Sequence, residues 1–93
     1  MIVAAATVKL YAPWVHSLKE KRMVVKSLIA KTRNKFNISI AEVDEQDTHQ
    51  TIILGFACVA GNASHADSVI ESVLGFIEMN TDAEIIEIRR ELR

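Results

Sequence analysis

Glu42, Asp44 and Asp47 put three carboxylates within one short stretch, "EVDEQD". Such a cluster can hold a divalent cation and serve a metal-dependent hydrolase or nuclease. The EF-hand spacing is absent, however, and a polar hairpin explains the same residues. The other reactive side chains are scattered. His16, His49 and His65 fall in separate segments without metal-ligand spacing. Cys58 alternates with Leu54 and Phe56, the pattern of a small residue in a strand. Ser17 precedes Glu20 in the S-x-x-E pattern of a capping box, which explains it without nucleophilic work. No Gly-rich phosphate loop occurs. These residues point to a protein that is not an enzyme, with no catalytic residue, no metal and no cofactor. The metal-dependent hydrolase or nuclease stays as a weak alternative.

Basic chemistry is better organised. In "HSLKEKRMVVKSL" and beyond, a turn of about 100° per residue puts Lys19, Arg22, Lys26 and Arg33 on one flank of a helix. At a rise of about 1.5 Å per residue this ridge is about 21 Å long, enough to meet several phosphates of a nucleic acid. A solvated helix flank explains the same charges, so both readings stand. Trp14, His16, Ser17 and Lys21 surround the helix start, whose free N–H groups attract anions. They are the candidates for a small anionic ligand, although for Trp14 a ring closing the end of the core is the favoured reading.

These residues need elements to position them. Ile2 to Tyr11 alternates as a strand, and Pro13 breaks the run. Ser17 opens a helix ending near Lys35, with Leu18, Val25, Leu28, Ile29, Thr32 and Phe36 as its apolar stripe. Ile38–Gln46 and His49–Val59 read as two strands joined by a turn around Asp47-Thr48. A second helix follows Asn62 and Ser64, stops at "NTD", and leads to a last strand over Ala83–Leu92. The order β-α-β-β-α-β gives an α+β fold of ferredoxin-like type: a four-stranded antiparallel sheet with two helices on one face, in one domain over residues 1–93. In that topology the loop before the first helix and the hairpin share one end of the molecule. An ion pair between Arg22 and Glu42 or Asp44 is therefore expected, as structure rather than catalysis.

The sheet face without helices is unusually apolar. It carries Val3, Ala5, Thr7 and Tyr11 on the first strand, and Thr51, Ile53, Gly55, Ala57 and Val59 on the third. A one-sided sheet normally shows polar residues there, so a homodimer through this face is expected.

Composition limits the classes. At 49% hydrophobic and 25% charged residues the chain is globular rather than disordered. No apolar run approaches the ~20 residues of a membrane span. With one cysteine and no basic signal region at "MIVAAATVKLY", a cytoplasmic setting is expected. The net charge of −1 conceals a split. Residues 1–36 hold eight Lys/Arg against Glu20, a net of +7, and residues 37–93 hold three against eleven Asp/Glu, a net of −8. Either a basic binding face or internal pairing explains that split.

The segments "SLKEKR", "FNISIAEVDEQD" and "TIILGFACV" resemble the YlxP-like family of bacterial proteins of this length, which has no established activity. The resemblance covers nearly the whole chain. It rests on Ser17, Leu18, Lys19, Glu20, Lys21 and Arg22, then on Ala41, Glu42, Val43, Asp44, Gln46 and Asp47. It implies a ferredoxin-like fold. Members commonly lie among genes for transcription, translation initiation and ribosome maturation, which implies an RNA or ribosome connection by association. Members often carry a basic or aromatic residue in the hairpin, where this chain has "DEQDT" and His49. The favoured reading is a small protein associated with RNA or a ribosomal particle through the first helix. The alternative is a homodimeric interaction module, with a small anionic ligand at the helix start.

Overall fold

A computed structural model describes residues 1–93. The elements are β1 (Ile2–Tyr11), α1 (Leu18–Lys35), β2 (Ser39–Asp44), β3 (Thr51–Ala60), α2 (Ala63–Met79) and β4 (Glu84–Leu92). The sheet order is β2-β3-β1-β4, and every neighbouring pair is antiparallel. This is the ferredoxin-like arrangement expected from the periodicities.

Alternation on β1 decides the layers. Ala4, Ala6, Val8 and Leu10 are buried beneath the helices, as are Ile52, Leu54 and Phe56 of β3. α2 lies over β1, β3 and β4, whereas α1 lies over β2 and against α2. Val25, Leu28, Ile70, Val73, Leu74 and Ile77 close the core from the helix side. Phe36 and Phe76 meet edge to face with ring centroids 5.6 Å apart, tying the end of α1 to α2.

Both helices begin on side-chain caps. The Ser17 hydroxyl accepts from Glu20 N at 3.1 Å, and Glu20 Oε1 reaches one residue past the cap to accept from His16 N at 2.8 Å, a variant of the capping box. Asn62 caps α2, accepting from His65 N at 2.8 Å.

Two strand ends differ from the expected bounds by two residues, the others by one at most. β2 stops at Asp44 instead of running to Gln46, because Glu45 takes a φ of 56° and turns the chain out of the sheet. β3 starts at Thr51, so the link between the strands is a six-residue loop rather than a tight turn around Asp47-Thr48.

Candidate functional site

The expected ion pair exists with a different cation. Lys21, not Arg22, reaches Glu42, with Nζ 2.9 Å from Oε2. Lys21 is wholly buried, whereas the Glu42 side chain keeps 16% of its surface exposed. Helical geometry explains the exchange. Lys21, Val25, Leu28 and Thr32 follow the four-three-four spacing of the buried stripe, and Arg22 falls about 100° further round, on the exposed flank. The same ammonium donates to the Glu45 carbonyl, which also accepts from Thr48 N at 3.1 Å. Glu42 Oε2 has no aligned hydrogen-bond donor, so the ammonium is its charge partner and nothing else satisfies it.

Asp44 takes no part. Ser39 to Glu42 pair with Ala57 to Leu54 in unbroken register, but Asp44 then pairs with Ile53. Val43 is therefore an extra residue, a β-bulge, and it moves Asp44 onto the opposite face of the sheet from Glu42. Asp44 instead caps its own turn, accepting from Glu45 N at 2.8 Å. A cation site of Glu42, Asp44 and Asp47 does not assemble, and no three His, Cys, Asp or Glu side chains come together as a metal-binding group.

The helix start offers less to an anion than its sequence promised. Ser17 is occupied as the cap, Lys21 is sealed beneath the helix, and the Glu20 carboxylate already sits in the first turn. His16 is exposed and lines a shallow recess with Tyr11, Asp47 and His49. This recess joins the loop before α1 to the β2–β3 loop, as does the bond from Gln50 Nε2 to Pro13 O at 3.0 Å. The two segments do share one end of the molecule. Trp14 is 40% exposed and borders a groove between α1 and the end of α2, with Met23, Val24 and Thr81. Its ring does not seal the core.

The basic flank forms as expected. Lys19, Arg22, Lys26 and Arg33 are all exposed on α1. Arg33 Nη2 donates to Ile40 O at 3.1 Å, so the ridge runs along the β2 edge of the sheet. Among the eight cations of residues 1–36, only Lys21 forms an ion pair. The remaining bridges, Arg89–Glu87, Arg90–Glu71 and Arg93–Glu91, are all internal to the acidic part of the chain. Internal pairing therefore leaves the basic segment largely uncompensated. Arg90–Glu71 links β4 to α2 and was not anticipated; the sequence signal for it was the even-numbered position of Arg90, in phase with Ile88 on the helix side.

On the open face, Ala5, Thr7, Ala41, Gly55 and Ala57 floor a trough of about 730 Å³, walled by Val43 on one side and Arg89 and Glu91 on the other. Val43 presses on Gly55 so closely that a Cβ there would lie 2.9 Å from Cγ1. Cys58 is unpaired, and burial pushes its thiol above the ordinary value, so it lacks the thiolate character of a reactive cysteine. No helix is long and apolar enough to cross a membrane.

Comparison with known proteins agrees with this architecture. A de novo designed protein with ferredoxin fold superposes with a TM-score of 0.59 at 21% identity, covering 100% of this chain and 86% of its own. The de novo designed protein Foldit4 superposes with a TM-score of 0.51 at 11% identity, covering 97% of this chain and 94% of its own. Both likenesses concern the fold alone. In sequence, the chain is 40% identical over 68 residues to the uncharacterized protein YlxP of Bacillus subtilis (strain 168), covering 73% of this chain and 74% of that protein. The family described as "Protein of unknown function (DUF503)" matches residues 3–90, and the chain belongs to that family.

Proposed function

We propose that this protein binds RNA through the exposed ridge of α1, as a non-enzymatic cytoplasmic factor associated with translation or a ribosomal particle. The observation that supports this most is the unpaired state of the ridge. Lys19, Arg22 and Lys26 lie on one exposed flank, and no carboxylate of the protein neutralises them. Arg33 adds a fourth charge while anchoring the flank to the β2 backbone. Such a row meets phosphates and reads the shape of the backbone rather than its sequence. The unpaired Cys58 suits a reducing compartment. The gene neighbourhoods of YlxP-like proteins support the link to translation.

The test is anisotropy titration of a labelled RNA stem-loop over a salt series. The variant Lys19→Gln/Arg22→Gln/Lys26→Gln spares Arg33, whose hydrogen bond to Ile40 contributes to packing. Binding should weaken, and the log–log salt slope should flatten by about 2–3. Thermal unfolding should not move. Equal affinity of variant and parent would remove the ridge as the binding surface and leave a solvated flank. A DNA duplex run in parallel separates RNA preference from general polyanion binding.

A further inference from the structure

We infer that the free edge of β4 pairs with the same edge of a second copy, two-fold about Ile88, to make one continuous eight-stranded sheet. Backbone direction carries the first part. Val3 and Arg93 exchange both backbone hydrogen bonds, at 2.7 and 2.8 Å. Along β4 the register then continues Glu91 with Ala5, Arg89 with Thr7 and Glu87 with Lys9. These alternate residues turn their N–H and C=O toward β1, so those of Ile88, Arg90 and Leu92 face the outer edge without partners in the sheet. β2, the other edge strand, is shorter and bridged by Arg33, and each edge strand carries one bulge, at Val43 in β2 and at Ile86 in β4. β4 is the long open edge.

Charge order carries the second part. An antiparallel pair about Ile88 sets Ile88 against Ile88 as a rung that exchanges two hydrogen bonds. It sets Glu87 of each copy opposite Arg89 of the other. These flanking positions are the narrow, non-hydrogen-bonded kind, where side chains come closest. Glu87 and Arg89 already bind each other within the chain at 2.6 Å, so the two pairs would close into a four-charge ring. On the helix side, Ile88 and Leu92 are 41% and 42% exposed beyond the cover of α2, and the pairing would shield Ile88. Charged residues often guard a free edge against pairing. Here the order Glu-Ile-Arg makes them self-complementary instead. Centring on Arg90 would oppose two arginines, and centring on Leu92 would use only the end of the strand.

Sedimentation velocity of the full chain at micromolar concentrations is the test. The parent should sediment as a dimer. Glu87→Arg sets like charges opposite each other and should raise the dissociation constant about tenfold. The exchanged variant Glu87→Arg/Arg89→Glu should restore the dimer. Ile88→Pro deletes an outward N–H, and part of a side chain on the helix side, without breaking the ladder to β1, and should give a folded monomer by circular dichroism. Glu91→Arg is the charge control, because the bulge at Ile86 limits the regular pairing about Ile88 to Glu87–Arg89, and it should be tolerated. A monomeric parent overturns the inference. So does a dimer that survives Glu87→Arg but falls to Ile53→Glu, which would place the interface on the open sheet face.

Discussion

Removing the Lys21 ammonium tests the central packing claim. Lys21→Met keeps the buried stem and deletes the charge. Two acceptors then lose their partner: Glu42 Oε2, which has no other, and the Glu45 carbonyl, which keeps Thr48 N. Breaking a buried pair from one side typically costs about 3–5 kcal/mol. Glu42 retains some contact with water, so the lower end applies, about 3 kcal/mol. In a domain of this size each kcal/mol moves the midpoint by roughly 4–8 °C, so Tm should fall by about 12–24 °C. Lys21→Met/Glu42→Leu removes both charges and should recover most of that loss, since apolar replacement of a buried pair is often neutral. Arg22→Gln is the control and should leave Tm unchanged. Differential scanning calorimetry or thermal circular dichroism reads all of these. If Lys21→Met matched Arg22→Gln, or if the double variant were worse than the single one, the pair would not be holding α1 to β2.

Two further outcomes follow from local geometry. Gly55→Ala should cost about 1 kcal/mol, because its Cβ would press on Val43, and Val43→Ala should abolish that cost in the double variant; strict additivity in urea melts would refute the contact. The Cys58 thiol is raised by burial, so near its ordinary pKa less thiolate is present than in a free cysteine. Labelling by a disulfide reagent should therefore lag behind glutathione at neutral to mildly alkaline pH and climb toward it as pH rises through the raised value, whereas equal rates at neutral pH would contradict the assignment.

Element order was legible because two periodicities alternate cleanly along the chain. β1 keeps strict phase over ten residues, and Ser17 with Glu20 marks a helix start where the structure places the cap on Ser17, although Glu20 bonds His16 N instead of Ser17 N. The ion pair was legible as a place but not as a residue. A lysine inside an apolar stripe reads as an interruption, although its four-three-four spacing with Val25, Leu28 and Thr32 already assigned it to the buried side. Asp44 was misplaced for a different reason. A bulge inserts one residue and reverses the parity of everything after it, and Val43 carries no glycine to announce it. The companion signal was distant in sequence: Gly55 is small where the bulged valine needs room. The edge pairing of β4 could not be read before strand order established which edge is free and which N–H groups face outward.

The two proposed surfaces lie at opposite ends of the sheet. The ridge follows the β2 edge, and the self-complementary order lies on β4. A two-fold axis through paired β4 edges stands perpendicular to the sheet, so both helical layers fall on the same side. Seven strand spacings of about 4.8 Å then separate the two β2 strands by about 34 Å. One RNA of sufficient length can meet both ridges on that side, and binding through both gains from effective concentration. A dimer through the open face would instead turn the two helical layers away from each other. No short RNA could then touch both ridges. Lys21 matters to either geometry, because it fastens the first turn of α1 to Glu42 and to the loop after β2. A ridge anchored at that end by Lys21 and near its other end by Arg33 presents its charges at a constant spacing, so little ordering entropy is lost when phosphates bind.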